Sequence, residues 1–434
     1  MRWTGFSLVA LLTACSASPD TNPGEESGGS NATGGSAGKG SAGASGAGTT
    51  SGGSTASGGK SGAGSGGASA GSGGSSSGAG GSGGTVPIMV TDCGALPEVG
   101  KWELIDPPEF ASPDNMEVLS VVVAVQDQSV YASAGNKTNG GNGGTGVLKS
   151  TDCGATWSKV STGMNGDKLD SGDQWAMMID PTNPQILYSN NGYGNDPTLY
   201  KSTNGGVDFT ALLPHPDKGV ASFVQDIAMD PEDPEHIAVS FHGDCEKAGF
   251  NAMCFSRSTD GGASWALFNG PASIGGWQEG AALSILGPTH YMFSSNAGGW
   301  FTDDEGANWD HVIDSGFNGA YGGSTTIADG TVYLAGDFSI YMSSSNPLGA
   351  SWTKIDGSPH VTVITNDGDH LIASNGGTDP HPMWMADVGA VNTWTQMTDT
   401  PDMGRGANQM AYDPVHHIVY SADWAAGLWR MVSQ

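Results

Sequence analysis

The octamer Ser150-Thr151-Asp152-Cys153-Gly154-Ala155-Thr156-Trp157 recurs down the chain as Ser-x-Asp-x-Gly-x-(Thr/Ser)-(Trp/Phe). A motif repeated at such intervals restricts the chain to a repeat architecture. Ser258 to Trp265 is the best second copy. Weaker copies run from Ser202 to Phe209, with Asn204 in the Asp place, from Thr302 to Trp309, with Asp304, and from Ser344 to Trp352, one residue longer, with Asn346. A worn sixth copy spans Asp387 to Trp394. An Asp or Asn followed by Gly makes a tight turn, its short polar side chain bonding nearby backbone N–H groups. Short strands such as Val147-Leu148-Lys149 and Leu199-Tyr200-Lys201 precede the turns, and the closing aromatic opens another strand. Each motif is therefore expected at a hairpin tip.

Each hairpin is the second half of a four-stranded unit. Trp175 to Pro181, Ile186-Leu187-Tyr188 and Leu199-Tyr200-Lys201 show the pattern: a first strand ending in Asp-Pro, a second with an aliphatic or Tyr core, and a third leading into the turn. On this template units begin near Val118, Gln174, Phe223, Ala281, Ser324, Val361 and Asn408, which makes seven. The last has three strands and no fourth. Trp102-Glu103-Leu104-Ile105 has the same look as Trp352-Thr353-Lys354-Ile355 and is expected to complete it. The predicted fold is all-β: a single seven-bladed β-propeller of four-stranded blades over residues 86–434, closed by pairing of N-terminal and C-terminal strands, so that only short edges remain.

These octamers resemble the Asp box, or bacterial neuraminidase repeat, of sialidases, sortilin-like receptors and propeller-type xyloglucan endoglucanases. In those families the box is a structural turn remote from the active face, which implies structural roles for Asp152, Asn204, Asp260, Asp304 and Asn346. Sialidases also need three arginines around the substrate carboxylate. The propeller segment has Arg257, Arg405 and Arg430, of which Arg257 and Arg430 fall on third strands, so sialidase activity is disfavoured. The endoglucanases are closer: Ala411-Tyr412-Asp413-Pro414 resembles their repeats, and Tyr420 to Gly427 resembles the strand and Gly turn that carries a catalytic Asp there. Those enzymes set two carboxylates across a cleft between two propellers, whereas this chain has one.

Ahead of the repeats, Arg2, the apolar run Phe6 to Leu12 and Leu12-Thr13-Ala14-Cys15 form a signal peptide over residues 1–14. Its end resembles a bacterial lipobox, which implies lipidation of Cys15, and Ser16 after it implies the outer membrane. Residues 15–85 are almost only Gly, Ser, Ala and Thr, a composition with nothing to bury. Such a coil spans roughly 45 Å as a tether. The charges of the first 85 residues cancel, so the repeat domain carries the whole formal net charge of −29. That surface repels phosphate backbones and anionic lipid, which excludes nucleic acid and leaves the N-terminal lipid as the membrane contact. With Cys15 assigned to lipid, four cysteines remain in an oxidising compartment. Cys245 and Cys254 close a local loop, and by elimination Cys93 pairs with Cys153. No Cys-x-x-Cys or paired-His motif suggests a metal, and no cofactor is expected.

Function is expected on the rim opposite the boxes, where turns between second and third strands meet the connections between blades. An Asn or Asp ends each second strand: Asn136, Asn191, Asp244, Asn296, Asp337, Asn375 and Asp423. Asp244, Asp337 and Asp423 are the charged members and form the candidate catalytic set. Trp175, Tyr193, Trp277, Glu279, Tyr321, Arg405 and Trp424 are the candidate ligand-binding residues, since indole and phenol faces suit sugar rings. The reading expected is a monomeric, lipid-anchored propeller that binds a neutral polysaccharide or oligosaccharide. A glycoside hydrolase using Asp423 with Asp337 or Asp244, and a protein-binding platform, are the alternatives.

Overall fold

The computed structural model describes residues 91–108, 110, 116–136, 144–192, 196, 198–215, 224–241, 245–274, 281–295, 297–314, 324–336, 339–375, 382–398, 400–401, 403, 406–423 and 426–434. The expected signal peptide, Cys15 and the tether lie outside them. The described residues belong to one compact unit, Ser82–Gln434.

Seven antiparallel sheets of four strands each form a β-propeller. Blade 1 comprises Met116–Ala124, Ser129–Asn136, Leu148–Ser150 and Ser158–Lys159. The first strands of the next six begin at Met177, Val224, Ala281, Thr325, Val363 and Ala407, each within three residues of its expected start. A single helical turn, Gly166–Leu169, separates blades 1 and 2. Blade 7 consists of Ala407–Asp413, Ile418–Asp423 and Gly427–Val432, and its outer strand is Trp102–Leu104. Trp102 pairs with Met431, Glu103 with Arg430 and Leu104 with Trp429, so the ring closes as the sequence predicts.

Alternation along the strands divides the core into seams between neighbouring blades. In the second strand of blade 7, Tyr420 and Ala422 pack toward blade 1 beside Val130 and Leu148. Val419, out of phase with them, packs toward blade 6 against Ile372 and Met383. First strands are tied together by polar bonds between blades. Gln409 accepts from the Val121 N–H at 3.3 Å and donates to the Met177 carbonyl at 3.3 Å. The half-buried Asp226 accepts from the Leu283 N–H, and Ser284 and Thr325 share a hydroxyl bond of 2.8 Å.

Five octamer turns sit on one rim with a common design. In the first, Ser150 Oγ donates to Asp152 Oδ1 and accepts from the Gly154 N–H, both at 2.8 Å. Asp152 then accepts from Thr156 through its N–H at 2.8 Å and its hydroxyl at 2.6 Å. The turns at Asn204, Asp260 and Asp304 repeat this pattern. The glycine at the fifth position of the octamer holds φ of +89° at Gly154 and +90° at Gly262, which a side chain rarely adopts. It is also where blades touch: a Cβ there would come 2.6 Å from Ile105 Cδ1 at Gly154 and 2.8 Å from Leu212 Cδ1 at Gly262.

The fifth turn corrects the sequence register. Ser345, rather than Asn346, accepts from the Ser351 N–H, and Ser343 takes the leading position by accepting from the Gly349 N–H. The loop is two residues longer than the others, and the insertion falls after the acceptor, which moves the pattern back by one. The worn copy at Asp387 to Trp394 does not make this turn. Val388–Ala390 there is a 3-10 turn, and Asp387 makes no side-chain cap.

Two disulfides join Cys93 to Cys153 and Cys245 to Cys254, as expected. The first staples the segment ahead of the closing strand to the octamer turn of blade 1. Arg430 completes the same junction: it donates to Glu103 at 2.8 Å, to the Cys153 carbonyl at 2.8 Å and to the Ala95 carbonyl at 3.1 Å.

Candidate functional site

Turns between first and second strands share the rim of the octamers, and their Asp-Pro ends are likewise built from local bonds. Asp180 Oδ1 accepts from the N–H groups of Thr182 and Asn183, and Asp413 Oδ1 from that of Val415. This rim is occupied by turn chemistry, and the candidate site lies on the other.

Of the residues proposed there from sequence, Asp244, Asp337, Tyr193, Trp277, Glu279, Tyr321, Arg405 and Trp424 lie outside the described residues. Trp175 stands half-buried just ahead of the first strand of blade 2. Of the other arginines in the domain, Arg257 pairs with Glu305 at 2.7 Å and Arg430 serves the ring closure.

Asp423 is described, and its surroundings are specific. It ends the second strand of blade 7 in phase with Val419, so its side chain faces the seam with blade 6. The residue is 0% exposed, and neither carboxyl oxygen has a hydrogen-bond partner. Its register partner across the turn is Gly427, with φ of +96°. A Cβ on Gly427 would stand 2.4 Å from Asp106 Oδ1, so the bare glycine leaves the place that the Asp106 carboxyl takes beside Asp423. Asp106, just past the closing strand, is held there by the Leu428 N–H, which donates to Oδ1 at 2.7 Å.

Burial pushes the Asp423 carboxyl well above the usual carboxylate range, and the negative charge of Asp106 adds to the rise. The Ser421 hydroxyl comes close enough to temper it but makes no hydrogen bond of proper geometry. Burial also raises Asp106, against the favourable Leu428 N–H. A carboxyl kept neutral beside a second one has the electronic character of a general acid. A general acid must also reach the oxygen it protonates, and Asp423 is covered.

Sequence reasoning missed Asp106. The signal was its place immediately after the predicted closing strand, which sets it opposite the start of the third strand of blade 7.

No protein-family model matches the chain. It is similar to a xyloglucanase from Paenibacillus sp, 24% identical over 287 residues, covering 57% of this chain and 27% of that protein. It is also similar to a xyloglucanase from Hypocrea jecorina (strain QM6a), 32% identical over 151 residues, covering 34% of this chain and 16% of that protein. The chain thus matches less than a third of the length of either relative. Among solved structures, the GH74 xyloglucanase from Xanthomonas campestris matches with a TM-score of 0.53 and 15% identity over 77% of this chain and 54% of that one. YCF48 bound to a D1 peptide matches with a TM-score of 0.53 and 12% identity over 80% of this chain and 100% of that one. At such identities the structural likeness shows the fold, and the propeller is shared by proteins of different activities.

Proposed function

We propose that this protein binds a neutral polysaccharide of the xyloglucan class on the rim opposite its octamer turns. The observation that carries the reading is the sequence similarity to two xyloglucanases. The octamer turns, on this view, are Asp boxes that hold the blades. The lipobox-like Cys15 and the Gly/Ser tether belong to the same proposal: they anchor the domain to the outer membrane and let it reach polymer at a distance. Binding is preferred to cleavage because Asp423 is buried.

Hydrolysis is the second reading, favoured by the raised, paired carboxyls of Asp423 and Asp106. The test measures affinity for xyloglucan oligosaccharides by calorimetry and reducing-sugar release in parallel. Trp277→Ala and Trp424→Ala are expected to weaken binding by about 2 kcal/mol each, as for an anchoring aromatic, with little change in melting. Reducing-sugar release that disappears in Asp423→Asn while affinity persists would establish the hydrolase. Absence of binding to any neutral glycan would sink both readings in favour of a protein-binding platform.

A further inference from the structure

The seam between blades 6 and 7 buries oxygen atoms that have no partner. Both oxygens of Asp423, the hydroxyl of Ser421 and the hydroxyl of Ser374 are buried without a hydrogen bond. Strand phase puts them together. Ser421 and Asp423 share the face of their strand that Val419 turns to blade 6, and Ser374 shares with Ile372 the face that blade 6 turns back. Ser374 Oγ is 3.2 Å from the Cβ position of Gly406, whose neighbour Ala407 is the register partner of Asp423. From the other side Asp106 lies over Gly427, and one of its two oxygens is engaged by Leu428.

A wholly buried carboxyl beside a second carboxyl is costly unless something positive joins it. Among the described residues no Lys, Arg or His is among the groups acting on either acid. Arg430, on the neighbouring strand, turns to the blade 1 side to meet Glu103 and Cys153. What strand phase brings to this place, among the described residues, is a set of hard oxygen donors: two carboxylates and two hydroxyls. Oxygen donors of this kind suit hard cations such as calcium rather than zinc or copper. Asp106 is only half-buried and supplies a path from solvent.

We propose that Asp106, Asp423, Ser421 and Ser374 form a calcium site that locks the ring-closing blade to blade 6. The site ties together three segments: the residue after the closing strand, the second strand of blade 7 and the second strand of blade 6. Calcium that binds there and not to the unfolded chain stabilises the closed ring by an amount that grows with the logarithm of its concentration above the dissociation constant. This inference stands independently of the glycan reading.

The experiment uses the full chain stripped with EDTA, then returned to calcium chloride or to sodium chloride of matched ionic strength. Calcium is expected to raise the melting temperature by a few degrees above the sodium control. Terbium is expected to give emission sensitised through Trp429 and Trp102, which line the same seam, and calcium should displace it. Asp423→Asn, which keeps shape and removes charge, should abolish both responses. Asp106→Asn, at the half-exposed position, makes the same test if the buried variant fails to fold. The proposal is overturned if the stripped parent melts alike in calcium and sodium. It is equally overturned if calcium stabilises the Asp106→Asn and Asp423→Asn variants as much as the parent. A parent indifferent to calcium that loses stability as pH rises above the ordinary carboxylate range would show that the two carboxyls share a proton instead.

Discussion

Asp260 shows at one residue how the octamer works. Its carboxylate is held down to about 2 by the Ser264 hydroxyl, the Ser264 N–H and the Ser258 hydroxyl. In the unfolded chain the group returns to 3.8. The unfolded state therefore binds a proton first as the medium is acidified, and the stability contributed by the turn is present above about pH 4 and lost toward pH 2. Urea titrations across that window should show the parent losing stability more steeply than Asp260→Asn, and equal slopes would refute the assignment. Such turns were legible in the sequence because their chemistry is local: acceptor, glycine and hydroxyl lie within eight residues. Asp106 and Asp423 were not read as a pair, since their meeting depends on a glycine and on strand phase at the junction of the two ends of the propeller. The register error at Asn346 has a similar origin. A longer loop keeps the same bonds but shifts which residue makes them.

At the level of elements, the ring closure was legible because the seventh repeat lacks a strand and Trp102 to Ile105 has the pattern of the missing one. What the sequence did not show is how strongly that strand is fastened. The Cys93–Cys153 bridge spans 60 residues and the Cys245–Cys254 bridge spans 9. Loop-closure entropy gives about 4 kcal/mol for the first against about 2.5 kcal/mol for the second. Cys93→Ser with Cys153→Ser should accordingly cost more in chemical denaturation than the pair at Cys245 and Cys254, and the reverse order would mean that the closing strand is held by its own pairing. Arg430→Ala acts on the same junction. It leaves the carbonyls of Cys153 and Ala95 without their donor, and a loss of about 2 kcal/mol or more is expected.

For the whole molecule, repetition explains which half of the structure was readable. The octamer rim repeats one solution, so a few copies define the rest. The opposite rim is made of connections that differ in length from blade to blade and share no motif, and the residues proposed there rest on chemistry alone. The closure also decides where mechanical load enters the protein. A pull on the chain ahead of Cys93 meets the bridge to Cys153 before it meets Trp102–Leu104. Tension is therefore delivered to the octamer turn of blade 1 through a covalent bond, and the hydrogen bonds of the closing strand are bypassed. A domain held from its N-terminal side against a moving polymer would keep its ring shut under forces that a strand alone could not bear.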